Sequence, residues 1–279
     1  MCQNSPMHAT PFAGSFGAEI HGLDLTDDLN DAAVAAFRSA LVEHQVLLIH
    51  EPGLTADHHM AFGSRLGSLE THFYFPNLGV GYEQVSVLDS EQKGGTATVW
   101  HTDGSYLQPP MLATMTYAKI MPEVGGNTLF ANMIAAYEAL SPDMKTRVSS
   151  LSAVHDSGSS NPQPRRKSWL PNRNRTDIAT SETRNVHPVV RRHPVSGAQV
   201  LYVNPQWTRA IVGLSPRESA ELLNELYQHS MREEFTYRHQ WRSGDLLIWD
   251  NQSTWHKVLD DFTGQRLMHR ISILSRDQI

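Results

Sequence analysis

Gly244-Asp-Leu-Leu-Ile-Trp-Asp-Asn-Gln-Ser-Thr-Trp-His-Lys-Val258 reads as a strand, a reversal and a second strand. Asp245 to Trp249 is a short apolar run bounded by turn residues. Asp250-Asn251 supplies the turn chemistry, and Trp255 to Val258 resumes an extended chain, placing His256 at the start of the second strand. Similar runs recur at Leu112 to Ile120, Asn127 to Phe130, Val186 to Arg192, Val200 to Val203 and Leu267 to Leu274, punctuated by Gly, Pro and Asn. That many short strands predict a sandwich or jelly roll.

Towards the N-terminus the pattern is mixed. Phe16-Gly-Ala-Glu-Ile-His-Gly-Leu-Asp-Leu alternates like a strand, and Asp27 to Asp31 offers N-caps for a helix over about Ala32 to Glu43. A buried strand, Val46 to His50, follows, then a helix from Thr55 to Leu66 ended by Gly67 and a strand at Gln84 to Leu88. Further helices are predicted at Ile134 to Leu140 and at Pro216 to Ser230, the latter opened by Ser215 with Glu218 three residues on. Asp156 to Thr183, polar and rich in Ser, Asn, Arg and Pro, is too long for a simple connection and reads as a mobile lid or partly disordered insertion. With no internal repeat and no linker, residues 1–279 are read as one domain.

The chain of 279 residues carries a formal charge of -6, and its basic clusters, Arg165-Arg166-Lys167 and Arg191-Arg192, are short. A nucleic-acid partner is therefore not expected. The single cysteine, Cys2, excludes an internal disulfide and fits a reducing cytoplasm. No signal-peptide pattern or apolar run of membrane-spanning length is present, so no membrane partner is expected. With 15 histidines and almost no thiol, any transition-metal site must be built from imidazole and carboxylate.

His101-Thr102-Asp103 is the first half of such a site, because residues i and i+2 of a strand face the same way. His256 is the candidate third ligand. Two histidines and one carboxylate leave open positions, as in non-haem Fe(II) oxygenases, though a catalytic zinc in a hydrolase uses similar donors. His-x-Asp also occurs by chance, and a strand histidine is more often structural than a ligand. His155, His187 and His193 are read as structural, and Asp250 as a turn residue.

These residues sit among Phe16 to Leu25, Trp100-His-Thr-Asp-Gly-Ser-Tyr106, Gly125-Gly-Asn-Thr-Leu-Phe130, Ala135 to Leu140, His187 to Gly197, Gly244 to Asn251 and Arg266-Leu-Met-His-Arg270. In that order they resemble the taurine dioxygenase and 2,4-dichlorophenoxyacetate dioxygenase family over nearly the whole chain. The resemblance implies an α+β fold: a double-stranded β-helix (jelly roll) core flanked by helices, with a long lid insertion. It implies Fe(II) on His101, Asp103 and His256, with 2-oxoglutarate and O2 as cosubstrates. Arg266, assisted by Thr128, would hold the distal carboxylate of oxoglutarate; Arg270 and His72 would contact a small anionic organic substrate, a sulfonate or carboxylate. A homodimer or homotetramer is also implied. Within the family the reaction is hydroxylation with release of succinate and CO2, which cleaves C–S or C–O where the hydroxylated carbon carries the heteroatom. A biosynthetic hydroxylase, desaturase or cyclase acting on an amino-acid-like metabolite is the alternative. The sequence departs from the family at Asn127, at Ala97-Thr98-Val99 and in the basic lid.

Overall fold

The computed structural model describes residues 7–12, 16–72, 75–92, 97–158 and 183–274. Its strands in chain order are β1 (His8–Pro11), β2 (Ala18–His21), β3 (Val46–Ile49), β4 (Ser68–Leu69), β5 (Ser86–Asp89), β6 (Ala113–Ile120), β7 (Thr128–Asn132) and β8 (Ser152–Asp156). They continue with β9 (Arg184–Pro188), β10 (Val190–Arg192), β11 (Gln199–Leu201), β12 (Thr208–Ile211), β13 (Thr236–His239), β14 (Leu246–Asp250), β15 (Thr254–Val258) and β16 (Leu267–Leu274). The helices are α1 (Asp31–His44), α2 (Ala56–Leu66), α3 (Met133–Glu138), α4 (Pro142–Val148) and α5 (Pro216–Ser230).

The fold is mixed α/β and dominated by sheet. The large sheet runs β1-β2-β3-β14-β6-β16-β4, with β5 also on β16, and a smaller sheet runs β13-β7-β15. The period of two divides β3 and β14 between two cores. Leu47, Ile49, Leu246 and Ile248 pack with Phe37 and Leu41 of α1 and Phe62 of α2. Val46, Leu48, Leu247 and Trp249 instead meet Phe130 of β7, which places the second core between the two sheets. A third core lies beyond the small sheet, where Ala131 and Trp255 pack with Leu222 and Leu226 of α5.

Capping explains the helix boundaries. Asn30, Thr55 and Ser215 each accept a hydrogen bond from a backbone N–H of the first turn, and Ser215 and Glu218 form the predicted capping box. Gly67 is required by close approach, since a Cβ there would lie 2.3 Å from the Leu274 carbonyl oxygen. The end of α2 is thereby seated on β16.

The run Val186 to Arg192, predicted as one strand, is two. Pro188 has no N–H, and at Val189 the chain changes partners, from β8 to β11. Strands β8, β12 and β13 and helix α4 were not predicted, because each is short and its apolar pattern is broken by polar residues. The insertion predicted over Asp156 to Thr183 lies outside the described residues except at its ends. Those ends are joined by Ser157 N–H donating to Thr183 O at 3.0 Å. No helix among the described residues is long and apolar enough to cross a membrane.

One buried histidine gives this core a sensitivity to acid. His59 of α2 is 1% exposed, with Nε2 lacking a hydrogen-bond partner. Burial, reinforced by His269 and Lys119, pulls its pKa from 6.5 to about 3. Between those values the unfolded chain takes up a proton that the folded chain refuses, so stability is lost as pH falls below about 6.5. His59→Leu is expected to lose about 1.4 kcal/mol less stability than the parent between about pH 7.5 and 5.5. Urea unfolding at the two pH values checks this; equal losses would contradict it.

Candidate active site

His101 and His256 are held as a backbone pair. His101 N–H donates to His256 O at 3.0 Å and His256 N–H donates to His101 O at 2.8 Å, an isolated bridge that sets the ring centroids 4.1 Å apart. His101 Nδ1 lies 2.8 Å from Val99 O. A carbonyl can only accept, so Nδ1 carries a proton and Nε2 is the ring nitrogen turned towards Asp103. Burial, then His101 and Arg270, hold the His256 pKa well below its ordinary value, which favours the neutral ring there.

Asp103 completes the cluster. Its Oδ1 is 3.6 Å from His101 Nε2 and its Oδ2 3.7 Å from His256 Nε2. Among the described residues this is the one group of three such donors whose ligand atoms all lie within 4.8 Å of one another. Burial pushes the Asp103 carboxyl up, but Arg270, His256 and His101 outweigh it and keep the pKa well below the usual carboxylate range. Two imidazoles and one anionic carboxylate, each less than a tenth exposed, are a donor set suited to a divalent transition metal.

The strand reasoning for His101 and Asp103 is corrected. Only His101 pairs with a strand. Asp103 lies in a turn, where Gly104 adopts φ +60° and Leu107 N–H bonds back to Gly104 O at 2.9 Å. The three side chains converge because the chain turns, not because successive side chains share a strand face.

Arg270, predicted to face the substrate, points into the cluster from β16. Its Nη2 lies 2.9 Å from Asp103 Oδ2, and its guanidinium stands 5.8 Å from the Phe75 ring. His72 also lies against that ring, with centroids 4.7 Å apart and the planes tilted by 35°. Burial, then Arg270, pulls the His72 pKa to about 3. Neighbouring Phe73 and Tyr74 lie outside the described residues.

Arg266 immediately precedes β16 and Thr128 opens β7. Arg266 is 6% exposed; its Nε donates to Gly126 O at 3.1 Å, and among the described residues its guanidinium has no carboxylate within ion-pair distance. Burial alone lowers its pKa, to about 10, so it remains a cation at neutral pH. Thr128 Oγ1 accepts from Trp241 Nε1 at 2.9 Å. Having accepted there, its hydroxyl is left to donate to another group.

The structure also brings in Glu70, which the sequence did not single out. Its N–H donates to Ser272 O at 3.0 Å, and its Oε2 is buried with no hydrogen-bond partner among the described residues. Burial raises its pKa against the opposing effect of Arg270. Only the pairing beside β16 places it there, which no local motif encodes. His193 is structural as expected, bonding Asp250 Oδ2 at 2.8 Å, and His155 bonds Ser105 Oγ at 3.1 Å.

Comparison with known proteins agrees with this geometry. The model of the family described as taurine catabolism dioxygenase TauD, TfdA family matches residues 8–272. The chain is 33% identical over 267 residues to the alpha-ketoglutarate-dependent sulfate ester dioxygenase of Pseudomonas putida, covering 94% of this chain and 88% of the relative. It is 28% identical over 288 residues to the alpha-ketoglutarate-dependent 2,4-dichlorophenoxyacetate dioxygenase of Cupriavidus pinatubonensis, covering 95% and 97%. The crystal structure of a taurine dioxygenase from Burkholderia xenovorans is similar with a TM-score of 0.81 at 31% identity, over 97% of this chain and 90% of that one. Because the matched residues span both sheets and all three members of the His101, Asp103, His256 cluster, the protein belongs to the TauD, TfdA family and is an alpha-ketoglutarate-dependent dioxygenase.

Proposed function

We propose that the protein is an Fe(II)- and 2-oxoglutarate-dependent dioxygenase that hydroxylates a C–H bond of a small anionic sulfate ester, sulfonate or carboxylate. The substrate C–H, oxoglutarate and O2 become the hydroxylated product, succinate and CO2. Where the hydroxylated carbon bears sulfur or oxygen, that bond then breaks. The observation that carries this reading is the buried grouping of two histidines and an ionised Asp103, together with a second buried cation, Arg266, that among the described residues has no carboxylate within ion-pair distance. A zinc hydrolase has no use for such an arginine. The two facing sheets fit a double-stranded β-helix, with the cluster at one end of the inter-sheet core.

His101, Asp103 and His256 would hold the iron, and Arg266 with the Thr128 hydroxyl would pair the distal carboxylate of oxoglutarate. Iron and oxoglutarate, when bound, supply the activation of O2. The chain's own part is placement and exclusion of water. Trp249 and Phe130 wall the His256 side, at 4.7 and 6.1 Å between ring centroids. On the opposite side Arg270, with N–H groups beyond the one on Asp103, and His72 face the substrate anion. We further infer a cytoplasmic homodimer or homotetramer, a reading supported by the lone cysteine and the family resemblance.

The deciding experiment is an anaerobic titration with Fe(II) and then oxoglutarate, followed by exposure to O2 with small sulfate esters, sulfonates and aryloxyalkanoates. A visible charge-transfer band, and succinate formed only with O2, are expected. Absence of both from well-folded protein would overturn the assignment, and turnover without O2 would favour a hydrolase.

A further inference from the structure

Behind Asp103 a chain of hydrogen bonds runs in one direction from the end of β14 and the turn that leads to β15. Trp249 Nε1, which can only donate, bonds Asn251 Oδ1 at 3.1 Å. With its amide oxygen thus engaged, Asn251 donates through Nδ2 to Thr114 Oγ1 at 2.9 Å. The threonine hydroxyl accepts that bond and donates its own proton to Asp103 Oδ2 at 2.8 Å. Its other acceptor within reach, Met111 Sδ at 3.8 Å, is longer and weaker. Asn251 and Thr114 are both fully buried and Trp249 is 4% exposed, so water does not compete for these bonds.

The two oxygens of Asp103 are therefore unlike. Oδ2 takes the Thr114 hydroxyl and Arg270 Nη2 and stands 3.7 Å from His256 Nε2, whereas Oδ1 stands 3.6 Å from His101 Nε2. We propose that Asn251 and Thr114 are positioning residues: with Arg270 they hold Oδ2 so that Asp103 offers the metal Oδ1 alone. The proposal rests on Asp103 being a metal ligand. Its chemical consequence concerns coordination sites. Two imidazoles and one oxygen leave three positions on a six-coordinate ion, enough for a two-toothed oxoglutarate and O2. A carboxylate free to turn about its terminal torsion, which is broad and soft, could grip through both oxygens and occupy one of them. Arg270 cannot do this work alone, because it also faces the substrate side.

The outer partners of metal ligands change affinity when removed, and this gives a readout apart from turnover. Thr114→Val keeps the shape and deletes the hydroxyl. Asn251→Asp keeps the bond from Trp249 but replaces the donor facing Thr114 with an acceptor, drawing the threonine proton away from Asp103. Anaerobic titration of each variant with Co(II) and Fe(II), with thermal melting as the check on folding, is expected to show metal affinity roughly 10–100-fold below the parent for both. Thr114→Ser, which restores the hydroxyl, should return affinity to near the parent value, a rescue that a purely packing role for Thr114 would not produce. Parent-like affinity in both Thr114→Val and Asn251→Asp, with His101→Ala abolishing binding, would overturn the positioning role while leaving the ligands intact. No binding by the parent itself would overturn the ligand assignment and this proposal with it.

Discussion

Asp103→Asn is expected to lower O2-dependent succinate formation by at least ~10³-fold, about 4 kcal/mol in the barrier, and to weaken Fe(II) binding beyond the roughly 10–100-fold typical of losing an outer partner. The substitution preserves the side-chain outline, and an amide oxygen can still accept from Thr114 and Arg270. What disappears is the negative charge of the candidate metal cluster, carried by what is also, among the described residues, the only carboxylate within ion-pair distance of the buried Arg270 guanidinium, 2.9 Å away. Asp103→Ala goes further and leaves Arg270 buried without a partner, a change that typically costs about 3–5 kcal/mol of folding stability. Metal titration together with urea unfolding separates the two effects. Full iron affinity in Asp103→Asn would mean that another carboxylate binds the metal, and the buried Oε2 of Glu70 would become the first candidate.

Arg266→Met should divide stability from function in the opposite sense. The Arg266 guanidinium is desolvated and, among the described residues, compensated by no carboxylate, which is why burial alone depresses its pKa. Replacing it with an apolar chain of similar length is expected to leave the cosubstrate-free protein as stable or to raise its stability by on the order of 1 kcal/mol. The same change should weaken oxoglutarate binding by about 2–5 kcal/mol, some 30-fold to several thousand-fold, the usual cost of truncating one side of a buried charge pair. Arg266→Lys, which keeps the charge and loses the planar fork, should fall between the two. Calorimetric titration with oxoglutarate and thermal melting measure both halves. A marked loss of stability with unchanged oxoglutarate affinity would show that Arg266 serves the fold.

Much of this architecture was legible because it is local. Helix α5 starts and ends as predicted, since Ser215, Pro216 and Glu218 announce its first turn, and β16 matches because Ile271 and Ile273, with the apolar residues at both ends of the run, favour an extended chain. The three metal-ligand candidates were likewise readable from residue type, helped by the family resemblance. What escaped were features made by pairing across the sequence. Glu70 joins the site only through the strand beside it, Thr114 looked like one more β-branched strand residue, and Asn251 was read as a turn residue when its amide also bridges Trp249 and Thr114. Arg270 was assigned to the substrate from the resemblance alone, and its contact with Asp103 depends on how β16 lies against β6. Asp103 does meet the two histidines, but from a turn and not from the strand face that was expected, because turn geometry at a glycine is weaker in sequence than strand periodicity.

The reciprocal hydrogen bonds between His101 and His256 have one more consequence. Two ligands far apart in sequence are brought together by the main chain when the sheet forms, so the entropy of closing that long loop is spent during folding and is not charged to metal capture. Preorganisation of this kind favours tight binding, and it also limits adaptation. An ion that prefers widely spaced donors cannot be met by a swing of flexible side chains, because the distance between the two imidazole stems is fixed by the backbone that carries them.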